Sequence, residues 1–219
     1  MLGDALTLQQ DERLAFVSIA LDDGWKTYWR LPGRFGFAPL LDWSGSENVA
    51  SVETIFPMPS LFDEGDGTSI GYSGEVLWPV RVQTIDPKEP IFLDLAVELG
   101  LCEELCFPVS AELGTRLSPS ALEAASLSTI LSLAGSLPAS VVSMPDGSFE
   151  HTNDGLALSM AQFASEGSFA VAENDEGKHS LLQFDGDGAL RGPWRHEIAP
   201  NRLTVVTPDM GMQVFLLDT

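Results

Sequence analysis

The sequence predicts an all-β fold, with two β-sandwich domains joined by one helix. Turn-forming residues such as DDG (22–24) and NDG (153–155) separate short runs of residues along the chain. These runs are apolar, or alternate apolar with polar side chains, as strands do, and they lie at 14–21, 76–82, 91–99, 155–163, 202–207 and 212–217. Spacing of this kind favours antiparallel sandwiches over alternating strand and helix units.

One segment breaks the strand pattern and predicts a helix. In SPSALEAASLSTILSLAG (118–135), Ser120 is followed three residues later by Glu123, which is the pattern of a capping box. Apolar residues then recur at helical spacing, and a glycine with a nearby proline suits a helix end. We therefore expect a first domain over 1–118, a linker helix over 119–138 and a second, small β-sandwich over 139–219 with no assigned role.

The charge of the chain excludes several classes of partner. With 32 acidic and 11 basic residues, the net charge is −21, which repels nucleic acid and anionic lipid surfaces. No apolar run approaches the roughly 20 residues that cross a bilayer, so we expect no membrane insertion of this chain. The start, MLGDALTL, shows no basic and then apolar pattern of a signal peptide, so we expect either a cytoplasmic protein or a processed exported chain.

The stretch LGLCEELCFPVS (99–110) holds both cysteines of the chain, Cys102 and Cys106. Four residues of extended strand span about 13 Å, which is too far for a disulfide with its Cα atoms about 4.4–6.8 Å apart. A bond between them therefore needs a turn at 103–105. Strand-like residues precede the pair and Pro108 favours an extended residue before it, so we place the cysteines at the tip of a hairpin.

Several roles for the pair compete. A stabilising disulfide closing so short a loop contributes only about 2 kcal/mol, against about 4.7 kcal/mol for a loop of 100 residues. Free thiols are a second role, but burial beside Glu103 and Glu104 is awkward. A zinc site needs four ligands, and the three histidines all lie in the second half without ligand-like spacing, so we expect no metal. A redox-active pair and a structural disulfide both remain open. Because the two glutamates raise the pKa of a nearby thiol, they favour a reducing centre, or a relay that exchanges only when a docked partner changes its surroundings.

Four motifs resemble one family in their order along the chain. GWKTYWRLPG (24–33), PLLDWSGSENV (39–49), GYSGEVLWPVRV (71–82) and LGLCEELCFPVSAEL (99–113) are similar to the N-terminal periplasmic domain of the thiol:disulfide reductase DsbD. The likeness covers residues 12 to about 117 and is strongest to the suppressor-of-copper-sensitivity B branch and its stand-alone relatives. No hydrolase, P-loop or dinucleotide motif is present, and we expect no cofactor.

The resemblance implies a periplasmic, immunoglobulin-like sandwich that takes reducing equivalents from a thioredoxin-like donor and passes them to disulfide isomerase-like acceptors of the thioredoxin fold. It implies that Cys106 attacks and forms the mixed disulfide, and that Cys102 resolves it. It also implies a cap loop at 63–67 that shields the sulfurs.

The resemblance further implies substrate-binding roles for four residues near the cysteines: Tyr28, Asp63, Glu64 and Phe107. The chain departs from the better-known pattern at two points. Its cysteines have three residues between them rather than five, and Gly65 stands where a phenylalanine is expected. We therefore expect Phe62 or Phe107 to cover the sulfurs instead.

Two other functions compete with a reductase. One is a non-catalytic β-sandwich binding module with a static disulfide, and the other is a copper-handling envelope protein that uses both thiols.

Overall fold

The computed structural model describes residues 11–119, 138–144, 149–152 and 155–217. The chain divides into two compact units, one within residues 6–134 and the other within residues 135–219. Nearly all of the regular structure in the described ranges is β-strand, which confirms the predicted all-β class.

Within residues 11–119, the first unit forms nine strands in two sheets. They are β1 (Glu12–Ala20), β2 (Lys26–Gly33), β3 (Leu40–Asp42), β4 (Val49–Thr54), β5 (Ser60–Asp63), β6 (Thr68–Ser73), β7 (Glu75–Thr84), β8 (Ile91–Cys102) and β9 (Cys106–Leu117). One sheet has the order β1-β7-β4. The other has the order β3-β8-β2-β6-β5, and β9 pairs with β8 beside it.

The inner faces of the two sheets meet in one apolar core, as in a β-sandwich. Trp78 of β7 is fully buried, and its ring lies 4.8 Å from that of Phe56 and 6.1 Å from that of Tyr72 in β6. Along β8, buried and exposed residues alternate from Ile91 to Glu98, as expected for a strand with one face in a core. A rigid core of this kind fixes the position of the β8 end that carries Cys102.

Strands β8 and β9 form a long antiparallel hairpin. Their register is continuous from Ile91 opposite Leu117 to Cys102 opposite Cys106. The hairpin therefore ends at the two cysteines, with Glu103, Glu104 and Leu105 as the loop between them.

The described residues of the second unit form eight strands in one hydrogen-bonded path. They are β10 (Pro138–Met144), β11 (Phe149–Thr152), β12 (Gly155–Ser159), β13 (Phe169–Glu173), β14 (His179–Phe184), β15 (Ala189–Gly192), β16 (Arg202–Thr207) and β17 (Gly211–Leu217). Their order is β10-β17-β16-β13-β14-β15-β12-β11, and the β10–β17 pair is parallel. Leu182, Leu190, Leu203 and Val205 are fully buried in a shared core.

The predicted strand at 155–163 ends earlier than expected. Strand β12 stops at Ser159, and a single 3-10 turn follows at Ala161–Phe163. The predicted linker helix over 119–138 lies almost wholly outside the described residues. The part of the chain that the structure describes contains no helix with the length and hydrophobicity needed to span a bilayer.

Candidate active site

The two cysteines form a disulfide at the tip of the β8–β9 hairpin. Their Cα atoms are 4.1 Å apart, and the Glu103 amide donates to the Leu105 carbonyl at 3.2 Å to close the three-residue loop. The predicted turn is confirmed, and the alternative of two free thiols was wrong.

The two sulfurs differ in their access to solvent. Cys102 is 0 % exposed, whereas Cys106 belongs to the exposed residues of β9. A thiolate approaching from outside therefore meets Cys106 first, and Cys102 becomes the leaving sulfur.

Tyr28 supplies a hydrogen bond to this pair. Its hydroxyl lies 2.9 Å from the Cys102 sulfur and 3.4 Å from the Cys106 sulfur. A disulfide carries no proton, so the phenol is the donor in both contacts. Burial raises the pKa of Tyr28, and the negative charge of Glu64 raises it further, so the hydroxyl keeps its proton at neutral pH.

Strand pairing explains how Tyr28 reaches the sulfurs. Lys26 of β2 lies opposite Cys102 of β8, and the Thr27 hydroxyl donates to the Gly100 carbonyl at 3.0 Å. Because side chains alternate along a strand, Lys26 and Tyr28 share one face. Gly100 leaves room for the ring, since a Cβ there would lie 3.1 Å from Tyr28 Cδ2 and Cε2.

An aromatic loop between β2 and β3 packs on Tyr28. The ring of Phe37 meets the Tyr28 ring edge to face at 6.4 Å, and a Cβ at Gly36 would lie 2.5 Å from Tyr28 Cδ1. Phe35 lies against Gly67, where a Cβ would overlap its ring. The sequence interpretation missed this loop; the signal available was its two phenylalanines flanking a glycine.

The loop predicted as a cap leads from β5 into β6. Its Glu64 accepts from Lys26 Nζ at 2.5 Å and from the Ser69 hydroxyl, so this carboxylate ties the loop to the strand that carries Tyr28. Burial raises the pKa of Glu64, but the Lys26 and Ser69 hydrogen bonds and the Lys26 charge outweigh it, so the pKa lies below its usual value. Asp63 accepts from the Gly65 amide at 2.9 Å and shapes the loop rather than the sulfur environment.

The two phenylalanines expected to cover the sulfurs make other ring contacts. Phe107 follows Cys106 in the same strand and so points to the opposite face. Its ring centroid lies 6.5 Å from that of Trp25. Phe62 lies beneath the Lys26 ammonium, 5.5 Å from ring centroid to Nζ. Tyr28, which is 2 % exposed, is the aromatic side chain in contact with both sulfurs.

The described residues contain no cluster of three or more histidine, cysteine or acidic side chains arranged to hold a metal ion.

Fold and site together define a class of protein: a β-sandwich domain with an asymmetric disulfide at a hairpin tip, one sulfur open and the other held under a tyrosine. Comparison with known proteins agrees. The family model for the N-terminal part of the thiol:disulfide interchange protein DsbD matches residues 3–117, which is more than half of the chain. The chain belongs to this DsbD N-terminal family.

Solved structures add a fold comparison. The crystal structure of the N-terminal periplasmic domain of ScsB from Proteus mirabilis matches with a TM-score of 0.65 and 21% identity, covering 94% of this chain and 86% of that one. This likeness shows a shared fold. The CupB2 chaperone of Pseudomonas aeruginosa also matches, at 10% identity over 93% of this chain and 90% of that one, but its TM-score of 0.25 supports no argument. No curated protein matches the chain.

Proposed function

We propose that this chain is a periplasmic thiol:disulfide exchange protein that passes reducing equivalents between thioredoxin-fold partners through Cys102 and Cys106. The observation that carries the proposal is the asymmetry of the disulfide, with Cys106 exposed and Cys102 buried under the Tyr28 hydroxyl. Membership of the DsbD N-terminal family supports it. The periplasmic location rests on the ScsB domain, which is described as periplasmic.

Reduction of the disulfide begins at the exposed sulfur. A donor thiolate attacks Cys106 Sγ, forms a mixed disulfide and breaks the Cys102–Cys106 bond, so that Cys102 leaves as a thiolate. The Tyr28 hydroxyl donates to that thiolate, and hydrogen bonds to a charged group are stronger than those to a neutral one. The second thiol of the donor, as thiolate, then attacks the mixed disulfide and releases Cys106. The donor has lost two electrons and the pair has gained them.

Delivery to the acceptor reverses the order of bonds. The Cys106 thiolate attacks the acceptor disulfide and forms a second mixed disulfide. Cys102, once deprotonated, attacks Cys106 Sγ, which reforms the internal bond and releases the acceptor as a dithiol after protonation. The Tyr28 hydroxyl is within hydrogen-bond distance of Cys102 and donates to its thiolate during this step, while the Cys102 proton passes to solvent.

Trapping of the mixed disulfide tests the proposal. In Cys102→Ser the attacking sulfur is free but cannot be displaced, so covalent complexes with thioredoxin-fold proteins should accumulate in periplasmic extracts. The matched control is Cys106→Ser, whose remaining cysteine is buried and should trap little. Equal trapping by both variants, or none by either, would contradict the assignment of the two sulfurs.

Two further measurements separate the competing functions. A wild-type disulfide that resists millimolar dithiothreitol in the folded protein would favour a static bond in a binding module. Stoichiometric Cu(I) binding that is lost when both cysteines become serine would favour copper handling.

A further inference from the structure

The outer strand of the active-site hairpin has a free edge. Among the described residues, β9 pairs with β8 alone, so its other edge presents unpaired backbone amides and carbonyls to solvent. Eleven of its twelve residues are exposed, up to Arg116. Free edges of this length normally invite pairing with another chain unless they are protected. Pro108 removes a donor near the start, which leaves 109–115 without a proline.

The inner face of this edge is apolar and uncovered. Phe107, Val109 and Leu113 are 50 %, 42 % and 46 % exposed; their partners on β8 are half-buried opposite the first two and buried opposite Leu113. Leu95, opposite Leu113, is 1 % exposed. A further strand alongside β9 would cover these side chains with its own inward-facing residues, and about 25 cal/mol is gained for each Å² of apolar surface removed from water.

The outer face beside the edge is acidic. A groove of about 720 Å³ crosses β3, β8 and β9, and its lining includes the carboxylates of Asp42, Glu98 and Glu112. None of the three has an ion-pair partner in the part of the chain that the structure describes. Neighbouring strands lie about 4.8 Å apart, so the outward side chains of an added strand stand beside Glu112, and a lysine or arginine there reaches toward Glu98.

We propose that the free edge of β9 binds an extended segment of a partner protein, added as a further strand in which apolar and basic residues alternate. The apolar residues cover the inner face, and the basic residues meet the carboxylates of the groove. The inference deepens the proposed function and rests on it in one respect: β9 begins at Cys106, so the segment belongs to the protein whose thiol is exchanged there.

Charge argues against a second copy of this chain as the occupant. Two chains of net charge −21 repel each other, whereas a basic segment is attracted to the same surface. The proposal therefore predicts a chain that is monomeric at low ionic strength in sedimentation experiments.

A cysteine-free peptide tests the surface without thiol chemistry. The probe is a fluorescent heptapeptide that alternates lysine and valine, and its binding to the full disulfide-bonded chain is followed by anisotropy at low ionic strength. We expect saturable binding, with the amides of 109–115 exchanging more slowly with solvent when it is bound. A peptide of the same sequence methylated at every backbone nitrogen, and one that alternates glutamate and valine, should not bind.

Variants locate the site. Glu112→Lys should weaken binding about three- to tenfold, since an exposed ion pair contributes about 0.2–1 kcal/mol and its reversal adds repulsion. The control Glu75→Lys makes the same change in net charge at an exposed residue of β7 and should stay within about twofold. Leu113→Lys places a charge on the inner face and should abolish binding, whereas Ile85→Lys, at a residue 71 % exposed and outside β9, should not.

Equal effects of Glu112→Lys and Glu75→Lys, binding of the methylated peptide, or a dimer that dissociates on Leu113→Lys would overturn the inference. These results do not bear on the exchange reaction. Trapping by Cys102→Ser with no peptide binding would support the proposed exchange function and contradict the binding surface on β9. Peptide binding without trapping would support the binding surface and contradict the proposed exchange function.

Discussion

At the residue scale, the site consists of one disulfide and a tyrosine, and its three side chains differ in exposure and in hydrogen bonding. Cys106 is exposed, Cys102 is buried, and the Tyr28 hydroxyl contacts both sulfurs. The phenol stays protonated because burial and the nearby Glu64 both disfavour its ionised form. Water cannot hydrogen-bond to the buried Cys102 sulfur, so the Tyr28 hydroxyl is the group placed to stabilise a thiolate there.

Tyr28→Phe tests this role directly. Loss of a hydrogen bond to a charged group costs about 1.5–3 kcal/mol, so reduction of the disulfide by dithiothreitol should slow about tenfold or more. The stability of the oxidised protein should fall by no more than about 1 kcal/mol, because a disulfide sulfur is a weak acceptor. Stopped-flow reduction and urea unfolding measure the two effects.

The second tyrosine of the chain provides the matched control. Tyr72 is buried and donates to the Pro57 carbonyl at 2.9 Å. Tyr72→Phe should lower stability while leaving the reduction rate unchanged. A similar slowing in both variants would show that Tyr28 acts through packing rather than through its hydroxyl.

Part of this site was predictable from sequence. A rare pair of cysteines around a turn identified the disulfide, and the family resemblance placed Tyr28 beside it. Lys26, Phe35 and Phe37 were not found, because their roles depend on which strands become neighbours. The alternation of Lys26 and Tyr28 in β2 was visible, but the partner opposite them was not.

At the scale of the elements, the loop from β5 to β6 is held to β2 by the Lys26–Glu64 ion pair. Both side chains are largely buried, at 14% and 23% exposure, so the pair is less screened than one in open solvent. The loop and the β2–β3 loop also touch where Phe35 lies on Gly67. The two loops therefore meet next to β2, the strand that carries Tyr28.

The pH dependence of stability tests the ion pair. The folded pKa of Glu64 is lowered, so its contribution is fully present above the unfolded value, near pH 4.5, and is lost as pH falls through the folded pKa. Glu64→Gln should be about 1 kcal/mol less stable than wild type at pH 7, and this difference should vanish in acid. Urea unfolding of both proteins across this range measures it. Glu75→Gln, at an exposed residue of β7, should show no such pH-dependent difference; a constant difference for Glu64→Gln would mean that the charge is irrelevant.

The long strands were easier to predict than the short ones. β8, β16 and β17 have strong apolar patterns, and their positions agree with the sequence interpretation. β9 was implied by the predicted hairpin but was not among the strands predicted from apolar patterns, because Pro108, Ser110 and Gly114 blur its alternation.

At the scale of the whole molecule, charge is the dominant property. Thirty-two acidic residues against 11 basic ones leave few partners for ion pairs, so repulsion acts against each compact unit. The same field favours basic partners and disfavours self-association.

Stability should therefore rise with ionic strength. Salt screens repulsion over a Debye length of about 10 Å at 0.1 M. Screening also weakens the few exposed ion pairs, but the stabilisation lost there is smaller than the repulsion removed. Urea midpoints, measured with a denaturant that carries no charge, should increase as sodium chloride is added. Potassium chloride should give the same increase, and a falling midpoint would show that specific ion pairs outweigh the net charge.

The parallel pairing in the second unit has a consequence for biosynthesis. β17 lies between β10 and β16. The first strand of that unit, β10, therefore has no described neighbour in the sheet until β17, the last strand, has been synthesised. During translation the hairpin that bears the sulfurs is complete long before β17 leaves the ribosome. In an oxidising compartment the cysteines can thus pair before the C-terminal half matures, and a chain truncated before residue 211 should still form the bond.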